Sequence, residues 1–140
     1  MNKLYILDAC ALIALLSQEE GSDKVSDVYN KAASGETALV MNIINLLEVY
    51  YGDYRAHGKE AADKMIAKVK MSSIRIIAEN GDGIFSEAGR LKASYKISLA
   101  DAVALAQAAV LGGTLITADH HELDVVEIQE KSEFYGYAED

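Results

Sequence analysis

The chain has 140 residues, 51% of them hydrophobic, and a formal net charge of -9, which fits one domain, 1–140, with a core buried on both faces of a sheet. That acidic balance argues against a non-specific nucleic-acid binder, which sets an excess of Lys and Arg against phosphate. No apolar run is long enough to span a bilayer and no signal-peptide layout is present, so neither membrane insertion nor secretion is expected; the single cysteine, Cys10, allows no internal disulfide and suits a reducing cytoplasm.

Leu4 to Leu7 is a short apolar run that stops on Asp8, with the helix-like Ala11 to Leu16 directly behind it. This reads as a buried parallel strand feeding a helix, with Asp8 at the strand's C-terminal end. Ser22 to Ala33 follows as an amphipathic helix capped by Ser22 and closed by Gly35. Residues 38–41 make a second strand, and from Asn42 to about Arg55 the pattern is helical. One stripe there holds Ile44, Leu47 and Tyr51, another Ile43, Leu46 and Tyr50; a helix apolar almost all round is either central to the core or faces another subunit.

Lys59 to Val69 is expected to complete a helical hairpin, Ile74 to Ile77 to form a third strand, and Gly81 to Tyr95 another helix. Ser98 opens an alanine-rich helix ending at Gly112-Gly113. Thr114 to Thr117 reads as a fourth strand and Val125 to Ile128 as a fifth. Strands alternating with helices predict an α/β fold with a parallel sheet and right-handed crossovers.

In such sheets ligands bind at the C-terminal ends of the strands, where strand order reverses. Four acids fall where they would converge on that edge. Asp8 follows the first strand and could equally cap the next helix. Glu48 shares a stripe with Ile44, Leu47 and Tyr51, where a carboxylate must be paired or bind something; Asn45 stands one turn earlier. Asp101 lies three residues after Ser98, in an arrangement like a capping box. Asp119 follows the fourth strand. Two carboxylates about 4 Å apart repel by roughly 4 kcal/mol at an effective dielectric near 20, so a shared acidic site calls for a cation or a retained proton. Oxygen donors without a Cys or His cluster favour Mg²⁺ or Mn²⁺ over zinc.

The segments Leu7-Asp8-Ala9-Cys10-Ala11-Leu12, Asn45-Leu46-Leu47-Glu48-Val49, Ser98-Leu99-Ala100-Asp101-Ala102 and Thr117-Ala118-Asp119 resemble the acidic motifs of PIN-domain ribonucleases, and most of all the VapC-like toxins of toxin-antitoxin pairs. The resemblance covers nearly the whole chain. It implies a three-layer α/β/α fold with strand order 3-2-1-4-5, and Asp8, Glu48, Asp101 and Asp119 as catalytic metal ligands for Mg²⁺ or Mn²⁺. Thr117, Asn45 and Ser98 would support them. Family members usually carry Ser, Asn or Thr where this chain has Cys10, and a thiol is a weaker hydrogen-bond partner.

The implied reaction is hydrolysis of RNA phosphodiester bonds by a metal-activated water, in the cytoplasm, with an antitoxin protein as partner. A homodimer is expected from Tyr50, Tyr51 and Tyr54 near the end of the apolar helix. The rival class is a PIN-like binding or scaffold module with weak or no catalysis. Phosphatase readings fail on single positions: a phosphotyrosine phosphatase needs Arg where Leu16 stands, and a dehalogenase-type phosphatase needs Asp at Cys10. A dinucleotide site lacks its glycine-rich turn after Asp8. Most basic residues lie mid-chain, from Arg55 to Lys96, as solvated helix faces or as a rim for phosphate.

Overall fold

The computed structural model describes residues 3–17 and 22–117. Four parallel strands, β1 (Lys3–Leu7), β2 (Thr37–Asn42), β3 (Ile74–Ile77) and β4 (Thr114–Ile116), form a sheet of order β3-β2-β1-β4. The predicted order 3-2-1-4 is therefore present. The predicted fifth strand, 125–128, lies outside the described residues, as does Asp119.

Six helices connect the strands: α1 (Ala9–Ser17), α2 (Ser22–Ala33), α3 (Ile43–His57), α4 (Lys59–Met71), α5 (Asp82–Ser94) and α6 (Leu99–Leu111). The sheet is buried on both faces, as its unalternating apolar strands require. One core cluster gathers Ile6, Val40 and Leu115 with Ile84 and Leu91 of α5 and the alanine side of α6. The other gathers Leu7, Leu39 and Met41 with Leu12 of α1 and Leu46 and Val49 of α3.

Local chemistry sets the boundaries that matter for the site. Ser98 Oγ accepts the Asp101 backbone N–H at 3.0 Å and starts α6, one of the orphan donors of a helix N-terminus. Gly112, at φ 70°, ends it in the left-handed conformation. Gly113 then lets β4 approach β1: a Cβ there would lie 2.3 Å from Ile6 Cδ1.

Candidate active site

Continuing the parallel register by one or two residues past Leu7↔Ile116 and Ile6↔Val40 sets Asp8 between Thr117 and Asn42 on the C-terminal edge. Asp8 N–H donates to the Ile116 carbonyl at 3.2 Å, which holds the row together. All three residues are buried, Asp8 and Asn42 at 0% exposure and Thr117 at 1%. Polar side chains buried at a strand end need partners. Asp8 Oδ1 accepts the Ala11 N–H at 2.8 Å and so caps α1; the structural explanation for this acid thus holds alongside any chemical one.

Asp101 arrives from the opposite side, on the first turn of α6, and is 6% exposed. The link between the two acids is Asn45, fully buried on α3. Its Oδ1 accepts the Ala9 N–H at 3.2 Å, and its Nδ2 donates to the Ala100 carbonyl at 3.1 Å. One amide therefore ties the residue after Asp8 to the residue before Asp101. Each acid's backbone is fixed relative to the other through a side chain in place of a flexible loop, and Ser98 fixes Asp101 a second time.

Glu48 stands one turn beyond Asn45, half-buried, and so on the same side of α3. Its expected setting needs correction. The buried residues of α3 are Asn45, Leu46 and Val49, whereas Leu47 and Tyr51 are exposed. The stripe Ile44-Leu47-Glu48-Tyr51 is thus largely a surface stripe, because the sheet and α1 take up the Leu46 and Val49 side. Glu48 lies at the rim of the site and not on a core face.

Among the described residues no three His, Cys, Asp or Glu side chains stand close enough to hold a metal ion. Asp8 and Asp101 are a partial donor set of hard carboxylate oxygens. That set fits Mg²⁺ or Mn²⁺ in kind and is unsuited to zinc. Of the mid-chain basic residues, Lys59, Lys64 and Arg90 are engaged on their own helices by Asp63, Glu60 and Glu87, as solvated helix faces would be.

A sequence profile of the PIN domain matches residues 5–128. The chain belongs to the PIN-domain family. No curated protein sequence matches it. Among solved structures this PIN domain is similar to VapBC2 from Rickettsia felis bound to a DNA fragment from their promoter, with TM-score 0.70, 16% identity and 96% of each chain covered. It is also similar to a toxin-antitoxin complex from Klebsiella pneumoniae, with TM-score 0.66, 18% identity and 97% of this chain and 98% of that one covered. A third likeness is to the sarcin-ricin loop cleaving toxin VapC20 of Mycobacterium tuberculosis, with TM-score 0.66, 15% identity, and 86% and 94% covered. At these identities the likeness is one of fold.

The PIN domain's edge also holds a residue that motif reading passed over. Asn42 Oδ1 accepts the Ile44 N–H at 2.9 Å, capping α3, and its Nδ2 donates to Asn80 Oδ1 in the loop between β3 and α5. The cap had a sequence signal, an Asn immediately before an apolar helical run. The bond to Asn80 had none, since its partner is 38 residues away.

Proposed function

We propose that this PIN domain is a Mg²⁺- or Mn²⁺-dependent endoribonuclease that hydrolyses RNA phosphodiester bonds in the cytoplasm, as the toxin of a toxin-antitoxin pair. The observation that carries the reading is the Asn45 amide, which spends both hydrogen-bonding ends on holding the Asp8 and Asp101 backbones at one sheet edge. A core needing only stability would fill that position with an apolar side chain. Solved neighbours described as a toxin-antitoxin complex and as a loop-cleaving toxin support the biological role.

Asp8, Asp101, Glu48 and Asp119 would hold the cation, which when bound supplies charge neutralisation at the phosphate and activation of water. The chain's own contribution is placement. The Ala11 N–H fixes the Asp8 carboxylate, Ser98 fixes the first turn bearing Asp101, and buried Thr117 stands beside Asp8 on the edge. Glu48 would orient the attacking water or complete a second metal site.

Two partners belong to the proposal. Exposed Leu47, Tyr51 and Tyr54 on α3 suit a homodimer contact. An antitoxin would use the groove of ≈ 710 Å³ between α1, α3 and α4, where Ile13, Leu16, Val49 and Met65 line the floor and Lys64 and Lys68 also contribute; an amphipathic helix fits such a groove. A cationic segment of the same partner, drawn by the net charge of -9, could set an Arg against the cleft carboxylates in competition with the metal.

The test is incubation of the purified protein with generic single-stranded RNA, with Mg²⁺ or Mn²⁺ and with a chelator, beside Asp8→Asn. Metal-dependent cleavage by the parent alone is expected. Equal RNA loss from both proteins, or none from either, overturns the ribonuclease reading.

A further inference from the structure

The chain of hydrogen bonds from Ile44 through Asn42 to Asn80 has only one consistent set of donors and acceptors. A backbone N–H can only donate, so the Ile44 N–H requires the oxygen of the Asn42 amide, and 2.9 Å separates them. The Asn42 nitrogen then faces Asn80 and donates, so Asn80 must accept with Oδ1. Amide orientations are ordinarily ambiguous; here the helix cap removes the ambiguity two residues away. What Asn80 has left is its Nδ2, two N–H donors on an exposed side chain, with no acceptor among the described residues.

The place of these donors matters. Asn42 sits at the register position of Asp8 on the neighbouring strand, about one strand spacing, roughly 5 Å, from it. Asn80 is one hydrogen bond further along the same edge, over the end of β3. The polar row thus runs from Thr117 and Asp8 through Asn42 to a fixed, outward donor pair. Asn42 is fully buried, so it positions the loop and does not itself meet a ligand.

We propose that Asn80 is a specificity-determining residue that donates to a base flanking the scissile phosphate, with Asn42 as its positioning residue. This rests on the ribonuclease reading. Single-stranded RNA is read through hydrogen bonds to splayed base edges, and a group offering donors alone selects acceptors. All four bases present acceptors, but at different points of their edges, exocyclic oxygens in uracil, cytosine and guanine and ring nitrogens alone in adenine, so a donor pair held at one point favours the bases whose acceptor falls there.

Two substitutions isolate the claim. Asn80→Ala removes the donors. Asn42→Ser keeps a neutral side-chain oxygen to accept the Ile44 N–H and hence the α3 cap, but is too short to reach Asn80, so the loop loses its tether without a new buried charge. A random-sequence RNA pool is cleaved by the parent and both variants, the new 5′ ends are sequenced, and thermal melting is recorded. The parent is expected to show a base preference at one position beside the cut of roughly 3- to 10-fold, the scale of one net hydrogen bond. Both variants are expected to bring that ratio toward one, with melting temperatures near the parent's. An active parent without this bias, or an unchanged bias in Asn80→Ala, overturns the assignment and leaves the ribonuclease reading standing. An unchanged bias in Asn42→Ser alone overturns the positioning role. A parent that cuts no RNA overturns both readings.

Discussion

The C-terminal edge of the sheet and the α3-α4 hairpin invert the ordinary distribution of side chains in opposite senses. At the edge, Asp8, Asn42, Asn45, Asp101 and Thr117 are buried, although such residues normally stay in water. On the hairpin, Leu47, Tyr51, Tyr54 and Met71 are exposed, and Arg55 lies over the Tyr51 ring at 5.5 Å. Buried polar groups cost stability unless each is satisfied, and exposed apolar groups forgo stability that burial would give. The proposed function explains each region by something it would meet: a charged ligand at the edge, another polypeptide on the hairpin.

The largest expected effect is on the edge. Asp8→Asn and Asp101→Asn should each lower RNA cleavage by at least about a hundredfold, since residues acting as one unit lose nearly everything singly. Their stabilities should diverge on truncation. Asp8→Ala also removes the α1 cap and should lower stability by about 1 kcal/mol, while Asp101→Ala keeps the Ser98 cap, relieves like-charge repulsion and should melt at or above the parent without metal. Calorimetry with activity assays separates the two; a large destabilisation in Asp101→Ala breaks the shared-site account.

Asn45→Ala comes next. It leaves the Ala9 N–H and the Ala100 carbonyl without the amide, and should cost about 2–3 kcal/mol in denaturant unfolding together with most of the cleavage. If activity survives in a folded Asn45→Ala protein, the two acids are held by something else.

On the hairpin, Leu47→Asp with Tyr51→Glu should leave folding and intrinsic cleavage close to the parent's and abolish association. Light scattering at micromolar concentration reads this out. A monomeric parent removes the dimer part of the comparison.

The smallest effect concerns Asp63. Lys59 and then Tyr50, both hydrogen-bonded to its carboxylate, hold it below the ordinary value. A carboxylate with a depressed pKa contributes stability that is complete above its unfolded value and fades as pH falls through the folded one. Asp63→Asn should thus lower the melting temperature at neutral pH by about 2 °C or less, since the pair is exposed and screened. The difference should disappear in acid, as a pair of melting series against pH would show.

The hairpin and the edge also differ in how far the sequence discloses them. Element types were readable almost throughout, because caps and stops are local: Ser98 and Gly112 bound α6 in the structure as their chemistry demands. The parallel sheet followed from alternation and handedness, whereas its order, 3-2-1-4 among the described strands, came from the family resemblance. Convergence of Asp8 and Asp101 on one edge was legible as topology, but its instrument was not. Asn45 appeared as a polar neighbour of Glu48 and a support for the acids, but how it acts was hidden, because its partners lie 36 and 55 residues away. Which side of α3 is buried was not legible, because the helix carries two apolar stripes and periodicity identifies stripes without saying which one the core takes. Asp119 and the fifth strand lie outside the described residues.

Asn45 also sets the order in time in which the site comes into being. Its two hydrogen bonds join β1's exit, α3 and the start of α6, and the last of these is added only after two-thirds of the chain has been made. A protein grown from its N-terminus at about 5–20 residues per second offers Asp8 and Glu48 for seconds before Ala100 and Asp101 exist to complete the cleft. Until then the amide has one end unclaimed and the first acid has no opposite. On the ribonuclease reading, a nascent fragment that stops short of Ala100 is therefore inert, and cleavage waits for the segment that carries Asp101.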